Sequence, residues 1–164
     1  MYVVMVLLLL AVLPAGSVVA EHSYLHSTAP LVLLIGKWFT FWAVGVRLLL
    51  AGLRQTFTPR FTAQEIFKFQ GEDVFPLVRE IGFGNLSMGA LGLLSLYSPM
   101  FIIAGAFVGG VYYLLAGIGH AIVGHRNFKE NFAMATDFLI AIVLLGFVSL
   151  TVAASSGFFI VLRH

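Results

Sequence analysis

The chain has 164 residues, of which 60% are hydrophobic and only 10% are charged, whereas soluble domains are typically about 25% charged. A soluble globular protein of this size cannot hide so large an apolar excess, because small domains bury the smallest fraction of their surface. Nine basic and seven acidic residues are too few to coat a nucleic-acid backbone, and the absence of cysteine excludes disulfides and thiolate metal sites. The composition therefore predicts a protein that dissolves in a lipid bilayer.

The first apolar run, residues 1–20, has two interpretations. Val18-Val19-Ala20 before Glu21 is an acceptable cleavage site, which favours a signal peptide. No Lys or Arg precedes the run, however, and signal peptides usually begin with a basic region. The segment is therefore predicted to be either an N-terminal hydrophobic helix that stays in the protein or a signal peptide that is removed.

Four further apolar runs form a predicted membrane bundle over residues 29–164. A crossing takes about 20 residues, and the runs predict spans at about 30–53, 75–97, 99–123 and 130–154. The runs lack the alternating polarity of membrane strands, and in lipid each segment must satisfy its own backbone hydrogen bonds. The predicted fold class is therefore all-α, a polytopic transmembrane helix bundle with four core spans plus the N-terminal hydrophobic segment.

Two details of these runs lead to further expectations. The last run stays apolar beyond one crossing, so we expect its helix to end or bend at Ser155-Ser156-Gly157. In the long polar stretch between the first two core spans, Thr62 and Glu65 have the spacing of a capping box. This spacing predicts a short amphipathic helix at about residues 62–70, with Ile66, Phe67 and Phe69 available for the membrane surface.

Basic residues predict the orientation of the bundle. The side with the long polar stretch carries the following basic residues in its two loops: Arg54, Arg60, Lys68, Arg126 and Lys129. The loops on the opposite side, residues 21–29 and 98–99, contain no Lys or Arg. The positive-inside rule then predicts a multi-pass protein of the cell membrane with the polar stretch and the N-terminus inside and the C-terminus outside. On the opposite side, Lys37, Trp38 and Trp42 are predicted to form an interfacial belt.

Ionisable and amide side chains inside the spans are predicted to share one depth. Up-down connectivity brings six of them to roughly the same level near the cytoplasmic side, at about 1.5 Å per residue from the helix ends: Arg47, Arg79, Glu80, Asn85, His120 and Asp137. A charge in hydrocarbon costs about 2.5–3.5 kcal/mol, so we expect these groups to neutralise one another. Arg47 would pair with Asp137 or Glu80, and His120 with the remaining carboxylate.

Small residues at helical spacing predict which faces point inwards. One stripe on the span at 99–123 contains Tyr113 and His120 among glycines, so Tyr113 joins the candidate cluster. The span at 75–97 has two small-residue stripes, one through Gly82 and Gly89 and one through Glu80, Gly84 and Ser87. Small residues let membrane helices pack closely, so this span is predicted to lie at the centre of the bundle.

The cluster itself has two interpretations. It could be a buried ion-pair network that fixes helix register, or a polar pocket open to the cytoplasm that binds a small ligand or relays a proton. Metal and cofactor chemistry is not predicted. Glu21, His22 and His26 have a spacing that could present metal ligands, but histidines are common in exposed loops. A bis-histidine haem needs histidines on two facing spans, and only His120 lies within one.

Three stretches of the chain resemble small prokaryotic integral membrane proteins of unknown function. They are residues 37–47 continuing through Arg54-Gln55, residues 79–85, and residues 117–120. This resemblance covers about residues 30–150, and implies a four-helix core in a prokaryotic inner or cytoplasmic membrane without supplying an activity. More loosely, the layout of four spans, with a glycine-rich span opened by an acidic residue, is similar to the DoxX-like group. No catalytic motif of that group matches residue by residue.

Three functional hypotheses follow. The first is a non-enzymatic accessory, scaffold or ligand-binding subunit, whose partners would be the lipid bilayer, other membrane protein subunits or further copies of itself, and not nucleic acid. The second is a proton-coupled transporter or channel component, which would need a polar path continuing outwards from Asn85. The third is an integral membrane enzyme acting on a lipid or quinone, with His120 and Glu80 or Asp137 as acid and base. An open cavity that reaches His120 from the lipid would favour the enzyme, and a sealed ion-pair network would oppose it.

Overall fold

The computed structural model describes residues 2–66, 68–122 and 126–161, and side chains within residues 3–66, 68–122 and 126–155. Phe67 of the predicted interfacial set lies outside these residues. Within these residues six helices follow in chain order: α1 at 2–24, α2 at Leu31–Phe57, α3 at Phe61–Ile66, α4 at Phe75–Leu93, α5 at Pro99–Ile122 and α6 at Phe128–Val161. A 3₁₀ turn, Leu94–Leu96, extends α4.

Four of the helices are long and apolar enough to cross a membrane. These segments are Val3–Tyr24, Leu31–Phe57, Pro99–Ile122 and Phe128–Ser155. The 19-residue α4 is not among them, because it carries Arg79 and Glu80 and is rich in glycine. It nevertheless runs antiparallel along α2 and occupies the same depth. The predicted all-α, membrane-type helix bundle is confirmed.

The helices alternate in direction, so the bundle has two ends. The loop side holds residues 58–66 and 68–74, and the far side holds residues 25–30 and the turn at 97–98. Antiparallel contacts fix this arrangement, since Gly82 packs on Thr56 near the loop side and Gly92 packs on Gly45 further across. Helix α6 likewise runs antiparallel to α2, with Asp137 beside Arg47.

Helix α2 occupies the centre of the bundle, and not α4 as predicted from its glycines. It packs against α1, α4, α5 and α6. One glycine stripe of α4 lies against α2, but a Cβ added at Gly84 would meet nothing within 4 Å, and Glu80 and Ser87 of the same stripe are exposed. The prediction of a central α4 was wrong because small residues show that close packing is possible and do not show that a neighbour is present.

The contact between α2 and α4 depends on glycine. A Cβ added at Gly89 would lie 2.6 Å from the backbone nitrogen of Leu49, and one added at Gly52 would lie 2.7 Å from the backbone nitrogen of Leu86. Distances below 3.0 Å are sterically forbidden for a real Cβ, so the two backbones can approach this closely only without side chains. The close approach aligns the polar residues of α2 with those of α4.

The N-terminal helix is part of the core. Val6 and Leu10 of α1 are 1% and 2% exposed and belong to one apolar cluster with Leu48 of α2, Tyr113 of α5 and Leu144 of α6. This one cluster contains buried side chains from α1, α2, α5 and α6. Helix α1 is therefore a structural element of the same bundle.

Two predicted boundaries differ from the structure. Helix α6 continues to Val161, so it does not end at Ser155-Ser156-Gly157, and the Ser155 hydroxyl donates to the carbonyl of Thr151 one turn earlier, which satisfies its polar group inside the helix. The predicted surface helix spans only Phe61–Ile66, so Thr62 lies inside its first turn and is buried. Ile66 is 58% exposed, as expected for a surface helix.

Candidate functional site

The polar centre of the bundle is a carboxylate with two basic neighbours. Asp137 of α6 is 4% exposed. Its Oδ1 lies 3.4 Å from Nη1 of Arg47 on α2, and its Oδ2 lies 3.8 Å from Nε2 of His120 on α5. Both distances exceed the 2.7–3.2 Å of a well-formed N–H···O bond. The carboxylate therefore has basic groups beside it, but neither of these two bases makes a well-formed hydrogen bond to it.

Tyr113 closes the cluster on its far side. Its ring lies 5.1 Å from the guanidinium carbon of Arg47, a cation–π contact, and its hydroxyl donates to the backbone carbonyl of Ala43. Ala43 lies in a stretch of α2, Thr40–Val46, where the helix widens into π-helical turns. Tyr113 is fully buried. It thus holds the guanidinium at one depth and separates the cluster from the far half of the bundle.

Asn85 of α4 completes the polar centre and leaves one atom unpaired. Its Nδ2 donates to Oε1 of Gln55 on α2 at 2.7 Å, and the side chain is 1% exposed. Its Oδ1 is buried without a hydrogen-bond partner among the described residues. Such an acceptor costs about 1–3 kcal/mol of desolvation unless a donor reaches it.

A cavity of about 170 Å³ lies between α2, α4, α5 and α6. Its polar lining is Arg47, Gln55, Asn85, Tyr112, His120 and Asp137. Its apolar lining is Leu48, Ala51 and Ala116. The α2 residues of the lining run from Arg47 towards the loop side, and His120, whose side chain is 38% exposed, lies near the loop-side end of α5. The cavity thus occupies the loop-side half of the bundle.

Arg126 caps the end of α5 beside His120. Arg126 Nη1 donates to the carbonyl oxygens of His120 and Ala121 at 3.2 and 2.7 Å, which caps the end of α5. Asn127 and Glu130 then form a reciprocal capping box at the start of α6, with bonds of 2.8 and 3.1 Å. These caps fix the ends of the two helices that carry His120 and Asp137.

Two predicted members lie apart from the cluster. Arg79 and Glu80 have exposed side chains near the loop-side end of α4, and no ion pair is formed by either with another described residue. The expected pairing of Glu80 with Arg47 or His120 was therefore wrong, since Asp137 faces both bases. The reason is rotation about the helix axis, because the glycine face of α4 turns Asn85 inwards and Glu80 outwards.

A second polar cluster, at the far side, was not predicted. Glu21 of α1 accepts hydrogen bonds from Lys37 Nζ at 2.8 Å and from Trp38 Nε1 at 2.7 Å, and Trp42 Nε1 donates to the Ser17 hydroxyl at 3.0 Å. The interfacial belt of α2 is thus also the attachment site of α1. Glu21 is engaged by these groups, while its potential co-ligands His22 and His26 are exposed.

Sequence reasoning missed three residues that line the cavity, which are Leu48, Gln55 and Tyr112. Ala51 and Ala116, which also line it, belong to the inward-facing stripes of Arg47 and His120. A signal for the others was present, because Arg47, Ala51 and Gln55 follow one another at four-residue spacing, as do Tyr112, Ala116 and His120. Extending the faces of Arg47 and His120 by this spacing would have found most of the set.

The bundle and its cavity define a polytopic helical membrane protein with ionisable groups buried between its helices. The chain belongs to a family of unknown function, DUF6790, whose model matches residues 1–157. No curated protein and no solved structure gives a significant match to the chain. Membership of this family confirms the expectation of a family of unknown function, and the matched residues include the N-terminal helix. The prokaryotic origin and the DoxX-like layout stay predictions.

Proposed function

We propose that this membrane protein is a ligand-binding or accessory subunit whose cavity between α2, α4, α5 and α6 receives a small polar molecule. The observation that carries the proposal is the cavity itself, where six polar side chains from four helices border one free volume of about 170 Å³. Concave sites between helices, in which a few polar groups converge beside apolar walls, are typical binding sites for small molecules.

The ion-pair distances support the same function. A purely structural network would be expected to close around its carboxylate, because a buried charge is stabilised only by close, well-aligned partners. Asp137 instead lies 3.4 and 3.8 Å from its basic neighbours, next to free volume. The arrangement is that of a site with room for one more group.

The charge distribution supports an orientation for this site. Arg54, Arg60 and Lys68 lie at the loop side, whereas the turn at Ser98-Pro99 on the far side has no basic residue. By the positive-inside rule the loop side faces the cytoplasm of a cell membrane, with the N-terminus inside and the C-terminus outside. The cavity would then receive its ligand from the cytoplasm or from the inner leaflet.

Native mass spectrometry of the protein purified from its own membrane tests the proposal. Ala116→Leu fills the cavity without removing a polar partner, and Ala90→Leu makes the same change at an exposed position of α4. We expect a small molecule to accompany the wild type and the Ala90 variant and to be lost from the Ala116 variant. The absence of any bound small molecule from all three proteins would contradict the proposal. The same spectra report accompanying subunits or further copies of the chain.

One observation favours a second candidate, the membrane enzyme acting on a lipid or quinone. The cavity reaches His120, whose Nε2 is 3.8 Å from Asp137, so an acid–base pair borders the free volume. If the protein is this enzyme, His120→Gln will abolish turnover of the molecule identified by mass spectrometry while leaving its binding in place. Equal loss of binding and turnover would favour the binding subunit.

A further inference from the structure

The four helices around the cavity form two closely packed pairs. Glycine contacts join α2 to α4 from the loop side to the far side, as described above. Helices α5 and α6 are packed in the same way. A Cβ added at Gly110 would lie 2.8 Å from the Leu145 side chain. One added at Gly117, nearer the loop side, would lie 3.0 Å from the Phe138 ring. Because close-packed helices transmit displacement with little compression, each pair behaves as one rigid unit.

The two pairs meet each other mainly in the far half of the bundle. Helix α2 approaches the backbones of α5 and α6 mainly through its residues 31–46, whereas residues 47–57 lie along α4. Three close contacts join the pairs in this half: Gly36 with Phe147, Thr40 with Gly105, and Val44 with Gly109. All three α2 residues precede Arg47, the first α2 residue of the cavity lining.

In the loop-side half, the cavity separates the pairs. Helix α4 runs antiparallel to α5 with Gly92 beside Gly105, which puts Leu77 level with His120. The same register puts Ile81 of α4 level with the cavity residue Ala116 of α5. Leu77 is 56% exposed and Ile81 is 39% exposed. The loop-side end of α4 is therefore incompletely covered by α5.

The opposite seam, between α2 and α6, is covered by α1. Helix α1 lies along α2, and its Val6 and Leu10 share one buried apolar cluster with Ile140 and Leu144 of α6. These contacts hold the pairs together on the α1 side. If the pairs separate at the loop side, the gap therefore opens between α4 and α5.

The contact between the pairs coincides with irregular backbone in α2. Residues Thr40–Val46 form π-helical turns, and helices commonly bend where such turns interrupt the regular hydrogen bonds. From Val44 to Phe57, where α2 ends, the helix is about 20 Å long at 1.5 Å per residue. A tilt of about 10° at this contact would thus move the loop-side end by about 3 Å.

Building on the proposed ligand site, we propose that the α2–α4 pair and the α5–α6 pair tilt against each other about their far-half contact. The gap that this tilt opens between the loop-side ends of α4 and α5 is the entrance of the cavity. The movement leaves the packing within each pair intact, because the surfaces that separate border free volume. A molecule enters while the gap is open and is retained when it closes.

Distances between two nitroxide labels test the movement, and the chain has no native cysteine that would compete for the label. Three label pairs use exposed positions. They are Leu77→Cys with Ile122→Cys across the entrance, Leu31→Cys with Met100→Cys across the far side, and Leu53→Cys with Leu77→Cys within the α2–α4 pair. In lipid nanodiscs, pulsed electron resonance should give an entrance distribution about 3 Å wider than the other two, the displacement expected from the tilt.

The two control pairs decide what a wide distribution means. Equal widths for all three label pairs would overturn the proposal. Widening of the far-side or within-pair distribution to the same extent would indicate a loose bundle, and would overturn it as well. If the labelled Leu77–Ile122 protein does not fold, Ile81→Cys with Ile118→Cys spans the same gap at exposed positions.

A cross-link tests whether the movement serves the cavity. A bis-maleimide joins Leu77→Cys to Ile122→Cys, and in a matched control it joins Leu53→Cys to Leu77→Cys within one pair. We expect the small molecule detected by native mass spectrometry to dissociate about tenfold more slowly from the first protein, because the entrance is held shut, and at the wild-type rate from the control. Unchanged dissociation from the first protein would overturn the proposed entrance.

Failure of this inference and failure of the proposed function appear in different measurements. The label distances require no ligand. Native mass spectrometry that finds no bound molecule contradicts the ligand site, while the label distances still support or overturn the tilt. Equal label widths together with a bound molecule overturn the tilt and leave the ligand site in place.

Discussion

Asp137 is the residue on which the polar centre depends, because it faces both Arg47 and His120 while almost fully buried. Its partners come from α2 and α5, so one carboxylate links three helices. Its neighbours retain partial access to solvent, with side-chain exposures of 20% for Arg47 and 38% for His120. That access reduces the cost of burying the charges and limits what the ion pair contributes to stability.

Replacing Asp137 by Asn tests this role. The change keeps the shape of the side chain but removes the negative charge that faces Arg47 and His120, and we expect a loss of about 1–3 kcal/mol and a fall in Tm of several degrees. Thermal unfolding in detergent measures it. Glu80→Gln is the matched control, since that carboxylate is exposed. Equal Tm values for wild type and Asp137→Asn would mean that the cluster is a solvated patch that does not stabilise the bundle.

For single residues, the sequence predicts how deep a side chain lies in the bundle, but not which way it faces about the axis of its helix. Arg47, His120 and Asp137 could be brought together because connectivity and helix rise give their levels. Glu80 sits at a similar level, yet it faces outwards because Gly82 and Gly89 turn the opposite face of α4 onto α2. Which of two small-residue faces is covered depends on contacts between helices that are distant in sequence.

At the scale of the helices, the two glycine stripes of α4 predict opposite mutational effects. Gly89→Ala would bring a Cβ to 2.6 Å from the Leu49 backbone nitrogen, and overpacking of this kind costs about 1–3 kcal/mol. Gly84→Ala meets open space and gains up to about 1 kcal/mol of helix propensity. We therefore expect Tm to fall for Gly89→Ala and to stay level or rise for Gly84→Ala. The reverse order would mean that the outer stripe is the covered one.

The attachment of α1 leads to a prediction about the mature chain. Val6 and Leu10 lie in the core and Glu21 bonds to Lys37 and Trp38, so removal of residues 1–20 would open the core. We expect the intact mass of the purified protein to include α1. A mass corresponding to a chain that begins at Glu21 would establish cleavage instead.

The same attachment predicts an effect of Glu21→Gln. The Lys37 ammonium would lose its counter-charge while the bond from Trp38 could remain, so we expect a modest loss of about 1 kcal/mol, given side-chain exposures of 24% and 17% for the pair. The fall in Tm is compared with that of Glu65→Gln, which changes an exposed residue of α3. Identical Tm values for the two variants would count against the ion pair as an anchor.

For the whole molecule, absence of cysteine makes the topology directly measurable. Gln70→Cys places a thiol on the loop side and Tyr97→Cys places one on the far side, both at exposed positions. In intact cells, a membrane-impermeant maleimide should label Tyr97→Cys and spare Gln70→Cys until the membrane is opened. Labelling of Gln70→Cys alone would reverse the proposed orientation.

Hydropathy and length were sufficient to predict the number of helices and their alternating directions. They could not predict that α6 passes Ser155 without a break, because the serine hydroxyl finds its acceptor inside the helix. They also could not predict the contact of Glu21 with Lys37, since that pairing depends on how closely α1 approaches α2. Local composition determines the elements, whereas the approach of one helix to another determines the sites.

The modest hydropathy of α4 has a consequence for how the chain is made. Arg79 and Glu80 keep this helix from being apolar enough to partition into the bilayer on its own account. When α4 leaves the ribosome, α2 has already been synthesised and offers the surface that fits Gly82, Gly89 and Gly92. We therefore expect integration of α4 during synthesis to depend on docking to α2, and we expect a nascent chain without α2 to leave α4 at the membrane surface.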